Sequence, residues 1–410
     1  MNIGFVGLGK LGLPCALAVE AKGHKVFGYD INQKVKDILE TKKLPYREIW
    51  AQEHLDKTNI TFCSMEDVVT NTEIIFVPIQ TPHSEKYEGI TRIPEDRIDF
   101  DYTYLKNGIQ NLSDEIDKQG NDKVVIIIST VLPGTVEREL KPILSKHVKL
   151  CYNPFFIAMG TTMQDFLNPE FVLFGVDDHE AATTAKGFYS TIHNKPFYET
   201  SIKNAELIKV SYNTFIGMKI VFVNTLMEIC HKMGGDVDAV TDALKMATDR
   251  LISKKYLSGG MGDGGGCHPR DNIALSWLAR KLDLSFDWFD NLMMAREKQT
   301  EWLADLIEEH DLPKVILGKA FKEETNLTVG SPSILLKNIL NERGHEVIMY
   351  DPHVDTEIPK WEKSVFFIGT KHNEFKNFKF PKGSIVLDPW RYIEDQDDVT
   401  VIRIGQTPSV

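Results

Sequence analysis

The apolar positions of this chain fall into three textures. Residues 2–7, Asn-Ile-Gly-Phe-Val-Gly, form a short apolar run that predicts a strand. A glycine turn follows, then helical spacing from Leu13 to Lys22 and a second strand, Lys25 to Asp30. Strand-like apolar runs recur at Ile74–Val77 and Val124–Ser129, with weaker ones at Lys149–Tyr152 and Phe171–Phe174. This strand–helix alternation predicts a mostly parallel sheet. From about Ser201 the pattern changes. Residues 203–233 lack proline, and Ile208, Tyr212, Phe215, Ile216, Ile220, Val223 and Leu226 crowd more than one helical face. A helix so widely apolar is expected to lie buried between domains or subunits. Further helices are expected near 236–247, 271–282 and 286–310. The third texture starts with the strand Lys314–Gly318, a helix at 332–343 and a strand at 345–350, with more strands at 364–368, 384–387 and 399–404.

The segment Gly23-His-Lys-Val-Phe-Gly-Tyr-Asp30 returns as Gly344-His-Glu-Val-Ile-Met-Tyr-Asp351. The C-terminal region therefore reads as a second copy of the N-terminal type. The expected fold class is α/β: two Rossmann-like parallel-sheet domains joined by a long central helix and a helical region. The boundaries fall at 1–200, 201–300 and 301–410.

A chain of 410 residues has room for two or three cores, and 42% hydrophobic with 26% charged residues is globular composition. Net charge is −12 with no long basic run, which argues against nucleic acid and anionic membrane surfaces as partners. An anionic substrate would then need local Lys and Arg. The N-terminus, Met-Asn-Ile-Gly-Phe-Val-Gly, has no charged leader and reads as a strand rather than a signal peptide. No apolar run approaches 18 residues, so no membrane span is expected. The five cysteines have no regular spacing, which suggests reduced thiols and a cytoplasmic location.

Four groups of residues carry candidate chemistry. Gly7, Gly9 and Gly12 follow a strand and open a helix, with Asp30 ending the next strand. Such glycines let the backbone approach a pyrophosphate, and the acid accepts from ribose hydroxyls and repels a 2′-phosphate, favouring NAD over NADP. The competing reading is a turn without a ligand. Thr81 and Thr130 each follow a strand, where an open sheet faces its ligand crevice; a helix N-cap is the alternative for Thr130. Lys209 and Asn213 share one face of the long helix and suit an oxyanion or a water, unless they are a snorkelling lysine and an interhelical amide. Cys267 lies in Gly-Asp-Gly-Gly-Gly-Cys-His-Pro-Arg-Asp, a glycine-dense loop beside His268 and Arg270. Neighbouring cations favour the nucleophilic thiolate, and the other four cysteines look buried. Asp271, four residues on, reads as an N-terminal capping carboxylate that is also placed to orient Lys209. The twelve histidines show no ligand spacing, and no metal is expected.

Taken together these motifs resemble the UDP-glucose/GDP-mannose dehydrogenase family along nearly the whole chain. The matching pieces are the glycine turn, Ser129-Thr130-Val-Leu-Pro-Gly-Thr135, Ala205-Glu-Leu-Ile-Lys209-Val-Ser-Tyr-Asn213, Asp249-Arg250-Leu, the cysteine loop through Asp271, and Gly318-Lys-Ala-Phe-Lys322 with Thr325 and Ser331-Pro332. The resemblance implies an NAD domain, a helical dimerisation centre and a C-terminal nucleotide-sugar domain in a homodimer. It implies oxidation of a sugar C6 alcohol to a carboxylate with two NAD, through a thiohemiacetal and a thioester on Cys267. Lys209 and Asn213 would stabilise oxyanions, while Thr130 and Asp271 would position water and Lys209. Leu11, Thr81 and Arg270 would join the cofactor site. Arg250, Gly264, Phe321 and Lys322 would contact the nucleotide sugar, Arg250 from a partner subunit. Three departures stand out. Phe155 and Met159 occupy positions where the family has acids, the first being its general base for thioester hydrolysis. Asn326, Leu327 and Val329 replace an acidic pair and an arginine, and His268 replaces an apolar residue. The departures leave open a relative with a different substrate, or one that stops after two electrons. A β-hydroxyacid dehydrogenase and a non-enzymatic NAD-binding module are the more distant alternatives; the former lacks a cysteine loop and a third α/β domain.

Overall fold

The computed structural model describes residues 1–82, 84–251, 255–256 and 258–406, and leaves the side chains of Glu85 and Arg250 undescribed. It divides into two compact units. Met1–Pro82 and Phe100–Ser211 form the first; the 83–99 segment and the chain from Tyr212 onward form the second.

The first unit is built on an eight-stranded sheet ordered β3-β2-β1-β4-β5-β6-β7-β8. Its strands are β1 Asn2–Val6, β2 Lys25–Tyr29, β3 Thr61–Phe62, β4 Ile74–Val77, β5 Lys123–Ile127, β6 Val148–Tyr152, β7 Val172–Val176 and β8 Phe197–Thr200. All pairings are parallel except β6 with β7. The central strands are apolar on both faces because helices cover both sides; Phe5, Phe76 and Phe188 are all fully buried, and Phe5 stacks on Phe76 at 5.2 Å. Strand order reverses between β1 and β4. There the chain leaves β1 through Gly7, leaves β4 toward Thr81, and leaves the flanking strands β2 and β5 through Asp30 and Thr130. Ligands of open α/β sheets bind at this kind of reversal.

In the second unit the long helix Ile202–Met233, whose first turns belong to the first unit, is followed by helices Val237–Met246, His268–Lys281 and Trp288–Glu308. A five-stranded, wholly parallel sheet ordered β10-β9-β11-β12-β13 completes it, with β9 Lys314–Leu317, β10 Val347–Tyr350, β11 Val365–Ile368, β12 Ile385–Asp388 and β13 Thr400–Arg403. Leu335, Leu336, Ile339 and Leu340 form one face of helix Pro332–Glu342 and pack with Ile316, Val365 and Phe367. Each such buried side chain contributes about 1.5–3 kcal/mol of transfer free energy.

The sequence repeat is a structural repeat. Gly7 N–H donates to Tyr29 at 2.8 Å and Gly318 N–H to Tyr350 at 2.7 Å. Both glycines take φ near +105°, in the region that favours glycine. Asp30 Oδ2 accepts from Leu8 N–H at 2.7 Å, and Asp351 Oδ2 from Lys319 N–H at 2.7 Å. The two sheets thus begin with the same strand-to-turn device.

One expectation needs correction, one alternative reading falls, and a further expectation gains a qualification. Cys63 is half-exposed, because it follows the two-residue edge strand β3 rather than a central one. Thr130 caps no helix, since the next helical turn begins only at Val136. By length and composition the helix Ile202–Met233 passes the test for a membrane span, with a best 18-residue window of mean hydropathy 1.2. Its polar residues are matched within the protein, however. Thr214 Oγ1 donates to Asn272 at 2.9 Å, and Asn224 bonds Gly260 and Met261. Half of that window is buried, as in a core helix. The 83–99 segment was not foreseen as part of the second unit. It docks through Arg92, whose guanidinium bonds Glu297, Glu301 and Glu342, and through the mostly buried pair Arg97–Asp290.

Candidate active site

In the first unit the glycine turn has a tight inner side and an open outer one. A Cβ on Gly12 would stand 2.2 Å from the Gly7 carbonyl oxygen, whereas one on Gly9 would meet nothing within 4 Å. Backbone fills the inner side, so a ligand has access at Gly9, where the helix Gly12–Ala21 begins behind Leu11. Asp30 accepts from Leu8 through Oδ2 and from Asn32 through Oδ1. Each oxygen keeps a further lone pair for a ribose hydroxyl. These residues fit a dinucleotide.

The Thr81 hydroxyl donates to the Thr130 carbonyl at 2.8 Å and ties two crevice loops together. The loop after Thr130 is held by Tyr102, whose hydroxyl accepts from Leu132 N–H at 3.2 Å, and by Glu206 from the long helix. Glu206 is fully buried and accepts from the N–H groups of Gly134 (2.5 Å) and Val136 (2.8 Å). Burial pushes its carboxyl up to about 7, against the pull of those two donors and of Lys203 and Arg138. Its role was not recognised in the sequence, although it lies within the motif that ends at Asn213. A testable consequence follows from the sign. Between about 4.5 and about 7 the native state keeps a proton that the unfolded chain has released, so stability falls as pH rises through that window. The ceiling is about 3 kcal/mol. Thermal midpoints recorded across the window should drop more steeply for the native protein than for Glu206→Gln; equal slopes would refute the assignment.

Lys209 is buried, and its Nζ lies 5.4 Å from the centroid of the Phe156 ring. Phe155 is half-buried and packs against the first unit's core, its ring 5.4 Å from that of Phe166. Met159, at the second departure, is half-buried.

In the second unit Cys267 is the N-cap residue of helix His268–Lys281 and is half-exposed. The amino end of a helix is a favourable place for negative charge. Burial pushes the thiols of Cys15, Cys63, Cys151 and Cys230 up, which leaves them poor nucleophiles at neutral pH. The basic side chains beside Cys267 face carboxylates. Arg270 bonds Asp271 Oδ1 through Nε (3.1 Å) and Nη2 (3.0 Å), and His268 Nδ1 lies 3.9 Å from Asp263 Oδ2. Asp271 is fully buried; its N–H donates to the Cys267 carbonyl at 2.8 Å, and its Oδ2 accepts from Asn213 Nδ2 at 2.7 Å. The Asn213 amide is thereby held by the residue one helical turn after Cys267.

The glycines make room for a neighbouring loop. A Cβ on Gly264 would stand 2.9 Å from the Gly330 oxygen, and one on Gly265 would stand 2.9 Å from the Phe321 ring. The cysteine loop and the Phe321–Lys322 loop are therefore in contact. Beneath them Arg296, 2% exposed, bonds the Asp263 carboxylate and carbonyl, each at 2.9 Å, and the Gly89 carbonyl. Neither Arg296 nor Asp263 carries a local sequence signal. Cys267, Asn213, Asp271, Gly264 and Phe321 are thus linked by contacts within the second unit, and Lys322 follows Phe321 in sequence. Arg250 follows in helix Thr248–Leu251, and its side chain lies outside the described residues.

The strand, glycine turn and acid of the first unit are those of a dinucleotide-binding domain, which places the protein among cofactor-dependent enzymes. Comparison with known proteins agrees. The chain matches the NAD-binding domain of the UDP-glucose/GDP-mannose dehydrogenase family over residues 1–193, the central domain over 203–297 and the UDP-binding domain over 315–395, and it belongs to that family of NAD-dependent nucleotide-sugar dehydrogenases. NAD is its cofactor. Among relatives, it is 27% identical to GDP-mannose 6-dehydrogenase of Pseudomonas aeruginosa over 87% of this chain and 82% of that one. It is 28% identical to UDP-glucose 6-dehydrogenase TuaD of Bacillus subtilis over 86% of this chain and 76% of that one. The fold matches a UDP-glucose dehydrogenase from Pyrobaculum islandicum with a TM-score of 0.85 at 23% identity, covering 99% of this chain and 98% of that one.

Proposed function

We propose that this protein oxidises the C6 alcohol of a UDP-glucose-like nucleotide sugar to the carboxylate, with Cys267 as the covalent nucleophile. The glycine turn and Asp30 would hold NAD, and two NAD in succession would supply the hydride acceptor for two oxidations. The first converts alcohol to aldehyde, and the alcohol proton leaves to a base. The Cys267 sulfur then adds to the aldehyde carbon, which holds a reactive product in place as a thiohemiacetal. Loss of the second hydride gives a thioester, and water releases the acid and the thiol. Asn213 and Lys209 stabilise the oxyanions, Thr130 and Asp271 position water and Lys209, and Phe321, Lys322, Gly264 and Arg250 hold the substrate. The observation that carries this reading is the placement of Cys267 at a helix N-cap, one turn from the Asp271–Asn213 pair and beside the Phe321 loop.

One observation favours a second reading. Phe155, at the position of the family's hydrolytic acid, packs against the core and offers no proton-transferring group. A two-electron oxidation, or a slow thioester release, would follow. A panel of nucleotide sugars with NAD separates the two. Two NADH per substrate and a uronate product support the four-electron reaction; one NADH and a carbonyl product overturn it.

The assembly proposed is a homodimer in the cytoplasm. It is supported by the exposed apolar side chains Phe215, Phe222 and Ile229, spaced at seven residues along the long helix, with Trp288 also exposed.

A further inference from the structure

The loops that leave β9, β10 and β11 meet at the carboxyl edge of the second sheet, where its strand order reverses. They bring together four side chains that the reaction above does not use. Glu324 comes from the first loop, His353 from the second, and His372 and Glu374 from the third, where His372 caps and Glu374 opens the short helix Asn373–Lys376. One donor atom of each lies within 4.8 Å of all the others. His353 Nε2 is 3.5 Å from Glu374 Oε1 and 4.0 Å from Glu324 Oε2, and His372 Nδ1 is 3.9 Å from Glu324 Oε1. Donors around a tetrahedral zinc ion stand about 3.3 Å apart, given bonds of about 2.0–2.1 Å. Small rotations of the two exposed glutamates close that gap.

The imidazoles are already oriented. The side chains of His353 and His372 are 7% and 0% exposed, with ring centroids 4.5 Å apart. His372 Nε2 lies 3.1 Å from the buried Asp351 Oδ2. A carboxylate behind one ring nitrogen assigns the proton to that side and presents the other nitrogen as a ligand. Here the other nitrogen, Nδ1, accepts the Glu324 N–H at 3.0 Å. An ion at Nδ1 therefore displaces a hydrogen bond from the same residue whose carboxylate becomes its neighbour. The donors are spread over three loops, which is why the histidine spacing in the sequence gave no sign of them.

We infer that Glu324, His353, His372 and Glu374 bind one divalent transition-metal ion, with zinc the best match to two imidazoles and two carboxylates. The ion ties together the three loops, one of which carries Lys322 two residues before Glu324. The test uses the full chain, freed of metal with EDTA and titrated with zinc by calorimetry, with metal content measured by mass spectrometry. One zinc per chain is expected. Glu374→Gln, a change at a half-exposed position, should weaken binding at least tenfold, and His353→Ala should weaken it about a hundredfold. A Cys267→Ser background removes the competing thiol, and cobalt(II) bound in its place should show weak d–d bands without thiolate charge transfer. The inference falls if saturating zinc leaves the chain without a stoichiometric ion, if Glu374→Gln binds as tightly as the native protein, or if cobalt reports a thiolate ligand.

Discussion

Replacing Cys267 by serine is expected to lower acid formation by on the order of 10³-fold or more while NAD binding stays within about twofold of native. Loss of a covalent nucleophile typically costs this much or more, because the remaining groups act on an intermediate that no longer forms. The cofactor turn is built from Gly7, Gly9, Gly12 and Asp30 in the other compact unit, so the substitution leaves it intact. Serine keeps the volume and the N-cap preference at the start of helix His268–Lys281. Folding should therefore be preserved, and the defect can be read as chemical. The measurement is product mass after incubation with NAD and substrate, beside NAD affinity by fluorescence. Uronate formation within tenfold of native would remove Cys267 from the mechanism and revive the reading of a chain that binds NAD without covalent chemistry.

Replacing Asn213 by alanine is expected to lower kcat by about 10²–10³-fold, the usual effect of removing one preorganised donor to a developing oxyanion. The change also deprives buried Asp271 of one of its partners, leaving Arg270 and its own backbone turn. An acceptor oxygen left unsatisfied in the interior costs about 1–3 kcal/mol in stability, so the melting temperature should fall as well. The two effects separate on inspection of kinetic constants. An oxyanion role lowers kcat with little change in the KM for NAD. A purely structural role lowers the melting temperature and leaves the kcat of the folded fraction near native, which would sink the assignment.

Much of this site was legible before any coordinates. Strands such as Ile74–Val77 and Lys25–Tyr29 announce themselves because both faces of a parallel sheet are buried and the apolar run is unbroken. The cysteine loop was legible for a different reason: its glycines are needed where Phe321 and Gly330 approach, and few other settings require so many in a row. What escaped notice depends on distant partners. Arg296 under the loop is one charged residue on a helix until Asp263 and Gly89 are placed beside it. The antiparallel turn at β7 follows from pairing geometry, which apolar runs do not encode. The substitution at Phe155 could be read as a lost base, but its direction could not. Only the packing on Phe166 shows that the half-buried side chain lies against the core.

The docking of Arg92 has a consequence for how the protein is made. Arg92 and its partner Glu342 are separated by 250 positions in sequence. At about 5–20 residues per second, a ribosome takes roughly 12–50 s to cover that distance. During that interval its acidic partners arrive in turn, Asp290 193 positions after Arg97, Glu297 205 after Arg92 and Glu342 last, while the strands on either side of the strip can close their own sheet. A fragment beginning at Tyr212 would inherit the converse problem. Glu297, Glu301 and Glu342 would converge on a vacant place, and supplying residues 83–99 as a separate peptide should restore it.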